Sequence, residues 1–489
     1  GMVGIAEKGT IGKATLNTSW EQFLQNHGGF ITSGYLAYAA RDFFNNGGQV
    51  LWVVRTAHYT DITDKTSLTA VAATKTLLDR HATVPANTLK VTAINEGKWG
   101  ENISVVIADG ESSTFTLTVK YKGVTKEVFA GLTMTESATS HVELKINGVS
   151  EYIVVEDLDT ATTGDDAGGY PKAYPAAGTF TLANGNDGLA GIADADYKGD
   201  SSQKSGLYAF DAVAMLNIIA IPGVTTGTVI NEGLTYCENR MDCVFFADSP
   251  LGLTPSEVKD FRRAEGDYTA AHNKFNSSYG ELFHPWGGII DPLTNTRKWV
   301  PPSGAVMGAY AKAFTRGNPW DAVAGVQRGR IVGWETVELN ANKAERDVLY
   351  PESVNSIIAD PDAGLVIWGQ RTLQVLPSAT DRANVRFLMA YIEKSAAASG
   401  KFVVFEPNNP ATWRAIHRLL TPFLQTIKDK GGLYDFAIQC DEDTNTAAVI
   451  DRNELVARVF VKPTKTAEFV ELNFILSPTG GSFKELFTA

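Results

Sequence analysis

The side chains able to do chemistry are few and scattered. Seven histidines (His27, His58, His81, His141, His272, His284 and His417) include no pair at metal-ligand spacing, and no H-E-x-x-H occurs. The phosphate loop G-x-x-x-x-G-K-[ST] and the nucleophile elbow G-x-S-x-G are also missing, so metal-assisted hydrolysis and phosphoryl transfer lose most of their support. Cys237, Cys243 and Cys440 form neither an even-numbered disulfide framework nor a C-x-x-C pattern, and they read as small buried residues. The run Gly185-Asn186-Asp187-Gly188-Leu189-Ala190-Gly191 is loosely like a glycine-rich phosphate loop, but it follows a linker-like stretch and reads as a turn. Asp360-Pro361-Asp362 could set two carboxylates as an acid and a base, yet a proline-containing acidic cluster before a strand reads as a solvated turn. His284-Pro285-Trp286 could place a catalytic histidine at a strand end, whereas a lone histidine among aromatics reads as a satisfied core residue. No catalytic, cofactor-binding or metal residue is assigned, and no cofactor is expected.

The elements that would position any site must come from a chain of 489 residues, enough for about three domains at roughly 150 residues each. Lys plus Arg number 43 against 55 Asp plus Glu, a net charge of −12, which makes nucleic acid an unlikely main partner. No apolar run approaches the about 20 residues of a membrane span, and the longest, around Leu216 to Val224, is strand-sized, so no membrane insertion is expected. Gly1-Met2-Val3-Gly4-Ile5 lacks a basic leader region and reads as a first strand rather than a signal peptide, with production in a cytoplasm as the default.

Residues 1–90 alternate helix and strand. Ser19-x-x-Gln22 is a capping-box pattern, and Tyr35 to Phe44 is a helical run that Gly47-Gly48 stops before the buried strand Val50 to Val54. From Val91 to Asn184 the period shortens to two: Phe115, Leu117, Val119 and Tyr121 alternate with polar residues, as do Val142, Leu144 and Ile146, and Tyr152 to Val155 follows. Continuous apolar runs at Leu216 to Ile221 and Cys243 to Ala247 read as interior strands of a parallel sheet. Further strands are expected over Leu282 to Ile290, Leu365 to Trp368, Phe402 to Phe405, Leu455 to Val461 and Phe469 to Leu476, with helices around Asn384 to Ala397 and from Pro410 to Lys430. The expected fold is mixed α/β: an open-sheet core from 1–90 and 185–345, an inserted β domain over 91–184, and a C-terminal α/β domain over 346–489 that ends in β strands.

Several segments, taken together and in order, resemble the sheath protein of contractile phage tails and related contractile injection particles. They are Met2 to Gly9, Tyr35 to Arg55, Lys98-Trp99-Gly100-Glu101-Asn102, Asn184 to Gly188, His284-Pro285-Trp286, Val300-Pro301-Pro302-Ser303-Gly304, Trp368-Gly369-Gln370-Arg371-Thr372-Leu373 and Phe405-Glu406-Pro407-Asn408. The resemblance implies a central open sheet like that of subtilisin, a β-sandwich-like insertion and no enzymatic activity. Physically the motifs read as structural: Pro301-Pro302 with Ser303 as cap opens a helix of small residues, and Trp368, Gly369 and Arg371 end a strand on an aromatic anchor and a guanidinium clamp, with Glu406, Pro407 and Asn408 as a further structural motif. Two departures stand out, since the chain begins at the first core strand without the family's N-terminal arm, and Trp320 is followed by Asp321-Ala322 instead of Ala-Pro-Ala.

The resemblance implies a subunit that polymerises helically around an inner tail tube and contracts to drive the tube through a cell envelope. The partners it implies are further copies of the chain, the tube protein, and the baseplate and tail terminator proteins. Its place would be the tail of a virion or contractile particle assembled in a host cytoplasm. The long final strands suggest strand exchange between subunits through Phe469, Val470, Leu472, Phe474 and Leu476. In the Pro410 helix, Trp413, Ile416, Leu420, Phe423, Leu424 and Ile427 share one face, while Arg414, Arg418 and Lys428 fall on the other and are the expected tube contact. Two rival readings are a tail-associated hydrolase using acidic residues and a glycan-binding module with Trp99 and Tyr121 as stacking platforms.

Overall fold

The computed structural model describes residues 1–466 and 468, and the chain divides into two compact units, Gly1–Ser395 and Ala396–Ala489. Unit one is built on an eight-stranded sheet whose strands lie side by side in the order Gly364–Trp368, Val354–Asp360, Gly280–His284, Val244–Asp248, Ile218–Ala220, Met2–Gly4, Leu51–Arg55 and Ala14–Asn17. The pairs from Val354–Asp360 through to Leu51–Arg55 are parallel, and an antiparallel strand closes each edge. Parallel strands must be covered on both faces, which is why they read as unbroken apolar runs. On one face lie the helices Leu36–Asn45 and Ser303–Arg316, and on the other Gly227–Arg240 and Pro255–Arg263.

The first of those helix pairs touches through glycine. A Cβ on Gly304 would stand 2.5 Å from the backbone of Ala39, and one on Gly308 2.4 Å from the carbonyl of Phe43. The small-residue run expected after Pro302 therefore allows near backbone-to-backbone packing. Ser303 does not cap its own helix as expected. Its N–H and hydroxyl both donate to the buried carboxylate of Asp248, at 2.8 Å each.

Between Leu51–Arg55 and Ile218–Ala220 the chain forms two antiparallel sheets around a separate apolar core that includes Leu77, Val91, Trp99, Phe115 and Leu132. This β region starts earlier than residue 91, because Thr74–Leu78 and Asn87–Ala93 are two of its strands. Residues Val142–Ile146, expected as a strand, form a short helix: Val142 and Ile146, four apart, are both buried, while Leu144 between them is 66% exposed. A run of five residues can satisfy both periods, and tertiary packing chooses.

The run Leu282 to Ile290 is two strands in two different sheets, split at Pro285. Val354–Asp360 and Gly364–Trp368, expected beyond a boundary at 346, add to the core sheet of unit one. In unit two, Phe402 to Phe405 is not a strand. It is a 3-10 turn, Lys401–Val403, followed by exposed Val404 and Phe405, because four residues between two helices find no strand to pair with among the described residues. The helix Pro410–Asp429 packs Trp413, Ile416 and Leu420 around Cys440, and an antiparallel hairpin joins Leu433–Gln439 to Arg458–Pro463. That second strand begins at Arg458 rather than Leu455. Asn445 pairs with the N–H and C=O of Val456 at 2.8 and 3.0 Å, taking the place of a ladder partner.

Candidate functional site

In an open parallel sheet a ligand crevice is expected beyond the carboxyl ends of the strands, where the winding reverses. Here that point lies between Met2–Gly4 and Ile218–Ala220, and side chains fill it. The ring of Tyr35 lies against Gly223 so closely that a Cβ there would be 2.3 Å from Tyr35 Cδ2, and Trp286 meets Tyr35 edge-on at 5.2 Å. Beside them Asp248 accepts the N–H of Gly223 at 3.1 Å as well as both Ser303 donors, and burial raises its pKa to about 6. The arrangement fastens loops from three segments to one another across the crevice.

His284, one of the sequence's candidates, lies within this cluster. Its Nδ1 is 2.9 Å from Ser249 Oγ, the spacing of a base and a nucleophile. Both residues are fully buried, and burial lowers the imidazole to about 4, so it is neutral at pH 7 and sealed from any substrate. Trp286 Nε1 donates to the carbonyl of Ser249 at 2.6 Å. The core-residue reading is the one realised.

The other candidates are equally structural. Asp360 Oδ1 accepts the N–H groups of Asp362 and Ala363 at 3.0 and 2.9 Å, which makes a turn. Gly188 holds the middle of the Gly185 to Gly191 turn, its carbonyl accepting from His58 N at 2.7 Å. Cys237 and Cys243 are buried side by side with sulfurs 3.5 Å apart, and Cys440 is buried in unit two. Among the described residues no cluster of three or more potential metal ligands occurs, and no helix is long and apolar enough to cross a membrane. Trp99, a proposed stacking platform, is 2% exposed, and its indole N–H donates to the carbonyls of Asn95 and Glu96. Tyr121 packs edge-on to Trp99 and donates to Glu7 Oε1 at 3.2 Å.

The Trp368 motif works differently from its sequence reading. Trp368 is 40% exposed on the edge strand rather than a buried anchor, whereas Gly369 is required because a Cβ would meet Asn355 Oδ1 at 2.7 Å. The clamp is Asn355. Its Oδ1 accepts Arg371 N at 2.7 Å, and its Nδ2 donates to Arg371 O at 2.8 Å. Arg371 does grip a carbonyl, that of Pro351 at 3.3 Å, with its guanidinium over the ring of Tyr350. Asn355 was not singled out in the sequence, and nothing around it there marks it.

In unit two the expected helix is present with the expected cap: Asn409 Oδ1 accepts from Ala411 N and Thr412 N. Of the Glu406-Pro407-Asn408 motif, Glu406 is exposed and Pro407 accepts from Thr412 Oγ1 at 2.7 Å. Asn408 is the working member, accepting from Trp413 Nε1 and donating to Glu454 O, both at 2.7 Å. Of the three cations expected to contact the tube, Arg414 and Arg418 are exposed and make no ion pair among the described residues. Lys428 is already committed to Asp435, at 2.8 Å, and holds that carboxyl below its ordinary pKa. Pro422 was overlooked in the sequence: it lies inside the helix and lacks an N–H, which leaves the carbonyl of Arg418 without its usual helical donor. Phe469, Val470, Leu472, Phe474 and Leu476 lie outside the described residues.

Residues 377–477 match a family model described as the phage tail sheath C-terminal domain. A tail sheath protein of Vibrio phage KVP40 is 27% identical over 402 residues, covering 79% of this chain and 59% of that protein. One from Enterobacteria phage T4 is 30% identical over 270 residues, covering 54% of this chain and 41% of that protein. The chain thus spans between two fifths and three fifths of the length of these relatives. The fold is that of a crystallised sheath tail protein from Listeria innocua, with a TM-score of 0.62 at 12% identity over 94% of each chain. It is also that of the contracted helical sheath of the anti-feeding prophage, with a TM-score of 0.56 at 16% identity over 97% of this chain and 92% of that one. The resemblance read from the sequence motifs is borne out, and the mixed α/β fold with it.

Proposed function

We propose that this chain is a structural subunit of a contractile tail sheath, polymerising helically around an inner tube and shortening to drive that tube through a cell envelope. The observation that carries the reading is the sustained similarity to phage tail sheath proteins along most of the chain, joined to a fold whose ligand crevice is filled by Tyr35, Trp286 and the Asp248–Ser303 clasp. A plugged crevice suits a part that transmits force, and the reading assigns no catalytic step. Free energy for contraction would reside in contacts between copies that are better satisfied in the shortened state, a bistability released at one end of the tail.

Three further assignments belong to this proposal. Arg414 and Arg418 grip acidic patches on the tube. Among the described residues the hairpin Leu433–Gln439 and Arg458–Pro463 pairs with no third strand, and strand exchange with a neighbouring copy runs through this end of the chain, with Phe469, Val470, Leu472, Phe474 and Leu476 as its contacts. Baseplate and terminator proteins cap the polymer in a phage or particle tail put together in a host cytoplasm. Negative-stain electron microscopy of the purified full chain tests the core of the reading. Tubes or rings are expected, and a protein that stays monomeric across concentration and salt would overturn it.

A further inference from the structure

In a chain of net charge −12, one place on unit one collects cations. The last turns of the helix Ser303–Arg316 carry Lys312 and Arg316, and the segment that runs on to the sheet edge brings Arg328 and Arg330 beside them. Together with Gln327 they line a cleft of about 240 Å³, and a second cleft of about 260 Å³, lined by Asn45 and Gln49, shares Lys312 and Arg316 as its wall. Asp321 is the lining carboxylate, and it stands 3.9 Å from Arg328. Lys312, Arg316 and Arg330 make no ion pair or side-chain hydrogen bond among the described residues, and Arg316, Arg328 and Arg330 are exposed. Cations at a helix C-terminus complement its dipole, which accounts for Lys312 and Arg316 but not for Arg328 and Arg330.

We infer that this two-lobed basic cleft is an assembly contact that receives the acidic turn Asp441-Glu442-Asp443 of a second copy. The turn is three consecutive exposed carboxylates in unit two. Asp441 shapes it, its Oδ1 accepting Asp443 N at 3.1 Å and Thr444 N at 3.2 Å, while Glu442 and Asp443 make no ion pair among the described residues. Two free carboxylates on a preshaped turn match two lobes that share two cations, and the fork of a guanidinium favours carboxylate over other acceptors. Like charges on so acidic a chain repel, so a complementary pair of this kind fixes which faces of two copies meet.

The inference rests on the sheath reading, and one experiment separates the two. Assembly of the full chain is followed by sedimentation and electron microscopy for wild type, Arg316→Glu/Arg330→Glu, Glu442→Lys/Asp443→Lys and the quadruple variant. All positions are at the surface, and unchanged melting curves verify folding. Wild type is expected to form tubes that weaken as salt shortens the screening length from about 10 Å at 0.1 M to about 3 Å at 1 M. Each double reversal is expected to raise the concentration needed for assembly at least tenfold, and the quadruple variant to recover it. If wild type never assembles, the sheath reading fails. If wild type assembles and either double reversal assembles equally well, or the quadruple variant stays dispersed, this contact is wrong.

Discussion

Glu281 is a carboxyl group placed where water cannot reach it. It points from the strand Gly280–His284 into the core, where its Oε2 accepts from Tyr310 Oη at 3.0 Å and from Asn355 Nδ2 at 3.2 Å, while Oε1 has no partner among the described residues. Burial raises its pKa from 4.5 to about 8, so it is protonated at pH 7. Below pH 4.5 the folded and unfolded chains both hold the proton and the group is neutral in its effect. Between pH 4.5 and about 8 the unfolded chain releases the proton first, so stability falls as pH rises, and above about 8 the loss is complete. Asp42 and Asp248, also buried and raised to about 6, act in the same direction over lower pH. Glu281→Gln keeps the shape and the accepting oxygen without the charge. It is expected to be more stable than wild type at pH 7 by roughly 3 kcal/mol, with the difference vanishing near pH 4.5. Urea unfolding at several pH values measures this, and a pH-independent difference would refute it. Gly304 gives a second prediction at this scale. Because Ala39 presents backbone and not a movable side chain, Gly304→Ala is expected to cost about 1–3 kcal/mol in the same assay.

Elements join here in two ways, one visible in the sequence and one hidden from it. The Pro410 helix belongs to the first kind: cap, proline, apolar face and glycine stop are all local, and the structure has them within a residue of their expected places. Its charged face was only partly legible, since the Asp435 that claims Lys428 lies beyond the helix on the next strand. Reversal of the two free cations, Arg414→Glu with Arg418→Glu, is expected to leave sheath-only tubes intact and to abolish decoration of tail tubes at physiological salt. Normal decoration would exclude this helix as the grip. The hidden kind is a set of asparagine splices. Asn46, Asn147, Asn355 and Asn445 each accept one N–H and donate to one C=O of a single distant residue: Val332, Val155, Arg371 and Val456 respectively. Each amide imitates a strand partner where no strand fits. An asparagine reads as a turn residue in sequence, because the residue it will pair with is fixed only by tertiary structure. Asn46→Ala strands the N–H and C=O of Val332 and is expected to cost about 1–3 kcal/mol by thermal or urea unfolding.

For the whole molecule the β region between residues 74 and 183 poses the main question of independence. The sequence announces it through a change of period and places its exit, yet its start was displaced, because Thr74–Leu78 and Asn87–Ala93 join it through antiparallel pairing that the sequence does not show. Its apolar core contains no residue of the two that flank the main sheet. Entry and exit also meet: Thr74 and Ala183 exchange backbone hydrogen bonds at 2.9 and 3.1 Å. A unit whose ends touch can be removed with little loop-closure cost. Against this stands a clasp from the main sheet's first loop. Lys8 lies 5.5 Å from the ring of Trp99 and 5.4 Å from that of Tyr152, while Glu7 accepts from Tyr121 and Lys122 as well as from Gly29 N at 2.7 Å. A second tie comes from Arg55, fully buried on the strand Leu51–Arg55, whose Nη1 donates to the carbonyls of Gly9 and Glu96 at 2.8 Å each. Replacing residues 75–182 by a short Gly/Ser linker is therefore expected to leave a cooperatively folding chain that still forms tubes, with a lower melting temperature from the lost clasp contacts. Circular dichroism melts and negative-stain images of the shortened chain decide it. A chain that unfolds without a transition would show that the main sheet depends on the β region, and a folded chain that forms no tubes would place that region in the contacts between copies.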